Sequence, residues 1–274
     1  MEKNPTEILA LFGNPVAHSL SPAMHNTALK AMGLNGLYVP ILVEHLEAAV
    51  QGIRGMGIRG VSVTIPFKTK IIKYLDMIDQ EAQRIGAVNT VVNRKGRLKG
   101  CNTDWRGIFE ALSAVTAIKG KTVLILGAGG TARAALFGIL KHGGKPFIVN
   151  RTVQKGRRLA REWNCPFYSM EEIGGLKADI LINTTPVGMS PNTDKTPIIS
   201  ELLRNYGVVM DVIYNPLKTQ LLRDAEKAGC TILSGLEMFI HQGAEQLKLW
   251  TGQEPPRELM RRVVMEALEG SGTK

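Results

Sequence analysis

The chain has 274 residues, 44% of them hydrophobic and 21% charged, with a formal net charge of +10. That is an ordinary globular composition, with apolar material for one large core or two of common size. No apolar run approaches the roughly eighteen residues of a membrane helix, and the basic residues are scattered without interleaved stacking aromatics. Cys101, Cys165 and Cys230 form no CxxC pair, which argues against a membrane protein, an RNA-stacking module and a disulfide- or metal-stapled fold.

In chain order, "ILALFG" reads as a strand, and Ser21-Pro22 opens a helix with Ser21 as N-cap and Pro22 at the first helical position. "LYVPILV" is a second strand, "HLEAAVQGIRGM" a helix, and "RGVSVTI" a third strand ended by Pro66. "AVNTVVN" and "RLKGCN" read as a hairpin around Lys95-Gly96. "TDWRGIFEALSAV" reads as a helix with Thr103 as cap. A cleaner strand–helix rhythm follows: "KTVLILGAGG", "TARAALFGILKHGG", "PFIVN", "VQKGRRLAREW", "ADILINTT" and "GVVMDVIY". These strands are continuously apolar, as in a parallel sheet covered on both faces. "LEMFIHQGAEQLKLWTG" and "PRELMRRVVMEALEG" close the chain as helices.

Two such rhythms predict two α/β domains: residues 1–103 with about 240–274, and a Rossmann-type domain over 104–239. Helices over about 103–117 and 236–251 serve as connectors. The last helix is expected to return to the first domain.

Gly127, Gly129 and Ala132 form GxGxxA between a strand and a helix. The first glycine permits the tight turn, the second lets backbone approach a pyrophosphate, and the alanine keeps helix close to strand. The helix N-terminus then faces phosphate. About twenty residues on, a strand end usually carries an acid for the ribose 2′-hydroxyl. Here it carries Asn150, Arg151 and Thr152. A guanidinium offers a planar fork of donors to a phosphate dianion, so the cofactor expected is NADP rather than NAD. The basic patch Lys155, Arg157, Arg158 and Arg161 is read as a solvated helix face near that phosphate.

A nicotinamide cofactor implies hydride transfer, and the partner alcohol needs a proton acceptor. Lys68 ends "SVTIPFK", Asp104 follows "GCNT", and Asn89 and Thr90 sit in "GAVNTVV". Ser19 and Ser21 flank a helix start suited to a carboxylate. Singly, each has an ordinary structural use.

Together the motifs are specific. "GNPVAHSLSPAMHN", "VTIPFK", "GAVNT", "NTD", "GAGGTARA", "NRT", "NTTPVGM", "DVIYNPLKTQLL" and "GLEMFIHQGAEQLKLWTG", in this order, resemble shikimate dehydrogenases over nearly the whole chain. The resemblance implies reversible NADPH-dependent reduction of 3-dehydroshikimate to shikimate, on the way to chorismate and the aromatic amino acids. It implies a substrate-binding domain and a Rossmann-type NADP-binding domain with a cleft between them. Ser19 and Ser21 are then the substrate-carboxylate hydroxyls, with Tyr214 assisting. Thr64, Asn89, Asp104 and Gln242 hold the ring hydroxyls, and Lys68 and Asp104 are the catalytic pair. Gly127, Ala128, Gly129, Gly130, Thr131 and Ala132 cradle the pyrophosphate, and Asn150, Arg151 and Thr152 hold the 2′-phosphate. Thr184, Gly235 and Met238 line the nicotinamide site.

Three positions depart from the family pattern: Ser62 where Asn is usual, Trp105 where Gly is usual, and Phe239 where Leu is usual. Trp105 is open to two uses, narrowing the cleft mouth or packing beneath the Asp104 loop. A quinate/shikimate dehydrogenase with broader cofactor use is the alternative within enzymes, and an NADP-sensing binding protein the one outside them. The expected partners are a small-molecule substrate and NADP, with no metal, nucleic acid or membrane, in a cytoplasmic monomer or homodimer.

Overall fold

The computed structural model describes residues 5–271 and divides into two compact units. One runs to Thr103 and resumes at Ile240; the other is Asp104–Phe239.

The first unit holds β1 (Glu7–Gly13), α1 (Ser21–Ala31), β2 (Gly36–Leu42), α2 (Leu46–Gly55), β3 (Gly60–Val63), β4 (Met77–Ile78), α3 (Gln80–Ile85), β5 (Thr90–Arg94) and β6 (Arg97–Cys101). They build a mixed six-stranded sheet in the order β2-β1-β3-β5-β6-β4. β2, β1 and β3 run parallel, whereas β5 is antiparallel to both β3 and β6. Pro40 lies inside β2 without breaking it because β2 is an edge strand, where a missing N–H leaves no ladder partner unpaired. The β5–β6 hairpin turns on Lys95 and Gly96, both at positive φ (53° and 83°), as a two-residue loop of matching twist requires. Ala10, Phe12, Val61, Val63, Val91 and Leu98 lie at the centre of one face of the core, with Val50 and Ile53 of α2 over them.

The second unit holds α4 (Asp104–Ser113), β7 (Thr122–Leu126), α5 (Gly130–Lys141), β8 (Lys145–Val149), α6 (Val153–Trp163), β9 (Phe167–Tyr168), β10 (Ala178–Asn183), β11 (Tyr206–Asp211), α7 (Gln220–Lys227) and β12 (Thr231–Leu233). The sheet is parallel throughout, in the order β12-β11-β10-β7-β8-β9. This is the doubly wound arrangement expected of a Rossmann-type domain, with the first strand, β7, in the middle. Its central strands are buried along almost their whole length, which is why they read as unbroken apolar runs. α8 (Gly235–Thr251) carries the chain back into the first unit, where α9 (Arg257–Ser271) packs on α1.

Three local readings change. Leu20, not Ser21, occupies the cap position of α1, and Ser21 is its first helical residue with Pro22 after it. The Ser21 N–H is taken up by Ser19 Oγ at 3.2 Å, so the helix is entered one residue earlier than a serine cap would allow. α4 ends at Ser113 rather than near 117. The Thr103 hydroxyl, just before α4, donates to the Gln242 carbonyl at 3.0 Å. The sequence reading passes over α7, although Thr219 caps it by accepting from the Leu222 N–H.

Candidate functional site

In the second unit the glycine turn lies between β7 and α5. Gly127 has φ +114°, and a Cβ there would stand 2.5 Å from Thr184 Oγ1, which itself donates to the Leu126 carbonyl. Thr184 is thus packed directly against the turn, and only glycine fits the backbone beneath it. Gly129 differs. Its φ is ordinary, it is exposed, and a Cβ built on it would meet no atom within 4 Å. The space over Gly129, at the cap of α5, is therefore open to a ligand approaching the backbone. Ala132 is fully buried one turn on. The first turn of α5 carries no acidic residue, so its positive end is unopposed.

Asn150, Arg151 and Thr152 bridge β8 and α6. Asn150 Nδ2 donates to the Thr152 carbonyl at 2.8 Å, closing a small loop that leaves Arg151 and Thr152 exposed, with Thr152 at the cap of α6. No acidic side chain occurs between Val149 and Arg161. The nearest one along α6, Glu162, is held by a two-pronged ion pair from Arg133 of α5 at 2.6 and 2.8 Å, and those bonds keep its carboxyl below the usual range. The donor set fits the extra phosphate of NADP: one guanidinium, a helix N-terminus and no carboxylate to repel it.

A buried polar brace joins the ends of β10 and β11. Asn183 Nδ2 donates to Asp211 Oδ1 at 3.1 Å, and Asn183 Oδ1 accepts from the Thr185 N–H and hydroxyl at 3.0 and 2.7 Å. Asp211 also accepts from the Ile213 N–H at 3.1 Å and the Thr219 hydroxyl at 2.7 Å. Burial pushes the Asp211 carboxyl up to about 6 against the pull of these three donors. The brace fixes the segment leading into Tyr214, whose ring stacks on Phe239 at 4.0 Å and 19°. Phe239, a departure from the family pattern, therefore supplies an aromatic face that leucine lacks. Gly235 sits so close to the Val212 carbonyl that a Cβ would lie 2.2 Å from it, and Met238 is buried three residues on. Trp105 is also buried, edge-on to Phe137 at 5.3 Å with the Lys141 ammonium over its ring at 4.3 Å. Its ring thus packs between α4 and α5. Asp104, beside it, is the buried first residue of α4.

In the first unit Ser19 and Ser21 are brought together, Ser19 Oγ donating to Ser21 Oγ at 3.1 Å. Thr64 and Lys68 follow β3, and this stretch is laid beside Ala87–Asn89 by backbone bonds. Val63 N–H donates to the Asn89 carbonyl at 2.7 Å and Val88 N–H to the Lys68 carbonyl at 2.7 Å. Asn89 Oδ1 accepts from the Thr103 N–H and the Thr90 hydroxyl, both at 2.8 Å. Asn89 Nδ2 donates to Thr103 Oγ1 at 2.9 Å and to Gln242 Oε1 at 3.4 Å. Thr64, Lys68, Asn89 and Gln242 thus belong to one strand-end neighbourhood. Sequence reasoning missed Thr103, Gln246, Tyr38, Asn183 and Asp211 as members of these networks; the motifs "NTD", "GLEMFIHQGAEQLKLWTG", "NTTPVGM" and "DVIYNPLKTQLL" contain all of them but Tyr38.

Among the described residues no group of three or more His, Cys, Asp or Glu is placed to hold a metal ion, and no helix is long and apolar enough to cross a membrane.

Comparison with known proteins follows the same division. Residues 11–91 match the shikimate dehydrogenase substrate binding domain, residues 110–200 the shikimate / quinate 5-dehydrogenase model, and residues 235–265 the shikimate 5'-dehydrogenase C-terminal domain. A shikimate dehydrogenase (NADP(+)) of Methanothermobacter thermautotrophicus is 43% identical over 275 residues, covering 96% of this chain and 97% of that protein. The crystal structure of the Thermus thermophilus shikimate 5-dehydrogenase with NADP(H) and shikimate is 39% identical, with a TM-score of 0.88 over 96% of this chain and all of that one. The Listeria monocytogenes enzyme, solved with shikimate and NAD, is 37% identical with a TM-score of 0.84, covering 94% of this chain and 96% of that one. With its glycine turn, its arginine-bearing strand end and its amide–hydroxyl cluster each lying within a matched or aligned segment, the chain belongs to the shikimate dehydrogenase family.

Proposed function

We propose that the protein is an NADP-dependent shikimate dehydrogenase that reduces 3-dehydroshikimate to shikimate reversibly in aromatic amino acid biosynthesis. The observation that carries this reading is a conjunction within one chain. The open backbone over Gly129 and an acid-free Arg151 strand end occur together with the Ser19–Ser21 and Asn89–Thr103–Gln242 clusters. The relatives that share the whole chain at similar identity are named for this reaction.

Bound NADPH supplies the hydride. The backbone from Gly127 to Ala132 receives the pyrophosphate, and Asn150, Arg151 and Thr152 take the 2′-phosphate. Thr184, Gly235 and Met238 border the nicotinamide. Ser19 and Ser21 donate hydroxyl bonds to the substrate carboxylate, with Tyr214 assisting. Thr64, Asn89 and Gln242 orient the ring hydroxyls, and Asp104 accepts a bond from the hydroxyl next to the reacting carbon. Lys68 gives a proton to the C3 oxygen during reduction, and as a cation it steadies the negative charge growing there. In the reverse direction the same amine takes the proton from the C3 hydroxyl as hydride leaves the carbon.

The test crosses shikimate and quinate with NADP and NAD in one assay, following the absorbance of the reduced nicotinamide. Turnover of shikimate with NADP well above the other three combinations is expected. Equal use of quinate or of NAD would favour the broader quinate/shikimate activity, and no turnover in any combination would refute the reading. Lys155, Arg157, Arg158 and Arg161 are read as a solvated helix face near the cofactor phosphate rather than a nucleic-acid surface, which a salt-titrated DNA-binding measurement checks. The three unpaired thiols agree with a reducing, cytoplasmic setting.

A further inference from the structure

We propose that Gln246 is a positioning residue for the substrate site: a buried amide on α8 that fixes which way Asn89 presents its own amide. The inference rests on the reading that Asn89 and Gln242 hold substrate. Gln246 is 1% exposed and lies one helical turn beyond Gln242, on the same face of α8.

The direction of every hydrogen bond around it follows from backbone groups that can act in only one sense. The Thr103 N–H can only donate, so the Asn89 atom 2.8 Å from it is the oxygen. The Asn89 carbonyl can only accept, so the Gln246 atom 3.0 Å from it is the nitrogen. The second hydrogen of Gln246 Nε2 goes to Thr90 Oγ1 at 3.0 Å, leaving the Thr90 hydrogen to point at Asn89 Oδ1 at 2.8 Å. With its nitrogen so placed, Gln246 turns Oε1 toward Ser62, whose hydroxyl donates to it at 2.8 Å and accepts from the Tyr38 hydroxyl at 2.7 Å. Asn89 Oδ1 therefore receives two donors, and its NH2 group faces Thr103 Oγ1 at 2.9 Å and, at a longer 3.4 Å, Gln242 Oε1, the hydrogen left to share with a substrate hydroxyl.

If Gln246 turned over, its carbonyl oxygen would face the Asn89 carbonyl, two acceptors with no proton between them. Thr90 would have to reverse as well, withdrawing a donor from Asn89 Oδ1. Such a chain has one consistent arrangement, and losing Gln246 frees the Thr90 hydroxyl to turn, leaving the Thr103 N–H alone to hold the Asn89 oxygen. It also gives Ser62 a use. Serine reaches less far from β3 than asparagine would, and Gln246 from α8 and Tyr38 from β2 close on its hydroxyl from either side.

The test uses the full chain with Gln246→Met and Gln246→Leu. Neither can donate toward the Asn89 carbonyl in any protonation state, and both keep an apolar side chain of similar volume. Steady-state kinetics in the oxidation direction and thermal melting are measured for each, with Asn89→Ala in parallel. The KM for shikimate is expected to rise roughly tenfold, the size of one ordinary hydrogen bond. The KM for NADP should stay within about twofold, because the cofactor residues lie outside this network. Folded variants whose shikimate KM is unchanged overturn the proposal. So does failure of both variants to fold, which would make the amide a core-stability element alone. Asn89→Ala separates the two levels of inference. An unchanged shikimate KM in Asn89→Ala refutes the substrate assignment itself. A raised KM there, with none in the Gln246 variants, refutes only the positioning role.

Discussion

His25 offers a sharp test of the packing in the first unit. The side chain is fully buried, and neither ring nitrogen has a hydrogen-bond partner. One face stacks on Tyr38 at 4.3 Å and 20°, and Trp250 leans over it at 5.7 Å. Burial alone lowers its pKa from 6.5 to about 3. The folded value is depressed, so a proton binds the unfolded chain first. The stability is fully present above the unfolded pKa and is lost as pH falls toward the folded one. At about pH 5 the unfolded histidine is almost fully protonated and the folded one is not. RT ln(1 + 10^1.5) then gives a loss of about 2 kcal/mol relative to about pH 7.5. That figure depends only on the unfolded-state pKa for any folded pKa below about 4. The full shift amounts to about 5 kcal/mol, reached once the pH falls below the folded value. Urea unfolding of wild type and His25→Leu at both pH values isolates the effect, because other titrating groups cancel in the difference. Wild type should lose about 2 kcal/mol more than the variant between about pH 7.5 and 5. Equal losses would refute the reasoning and place a proton acceptor or water beside the imidazole.

Asp211 titrates in the opposite sense. Its folded pKa is raised from 3.8 to about 6, so its contribution is fully present below the unfolded value and is lost as pH rises through the folded one. Asp211→Asn can keep all three contacts if the Thr219 hydroxyl turns to accept; it should gain roughly 2 kcal/mol on wild type between about pH 4 and 7.5, measured by denaturant titration, and no gain would show the charge to be tolerated. Arg151→Ala should raise the KM for NADP about 10- to 100-fold, the loss of a charge-assisted contact, and that for NAD far less; equal changes would place Arg151 away from the 2′-phosphate. The two turn glycines should separate stability from binding. Gly127→Ala lowers the melting temperature through its positive φ and the contact with Thr184. Gly129→Ala leaves melting nearly unchanged yet weakens NADP, and a normal NADP KM in that variant would contradict the open cradle. Lys68→Ala should cut kcat by roughly 10²–10⁴ with a smaller change in shikimate KM, and near-normal kcat would remove Lys68 from the proton transfer.

The parts of this protein readable from its residues alone are those whose chemistry is local. A glycine needed at a turn, an arginine in place of an acid at a strand end, and a lysine or paired serines beside an element terminus act through neighbours in the chain. Continuous apolar runs likewise announce a covered parallel sheet. Tertiary structure alone decided the rest. Gln246 meets Asn89 and Thr90 across 157 and 156 positions of sequence, and Ser62 across 184. Asn183 and Asp211 meet because β10 and β11 lie side by side in register. An amide, a hydroxyl or an imidazole carries no mark of its partner. Its bond direction, and the loss of water that shifts its pKa, exist only once distant strands and helices have closed around it.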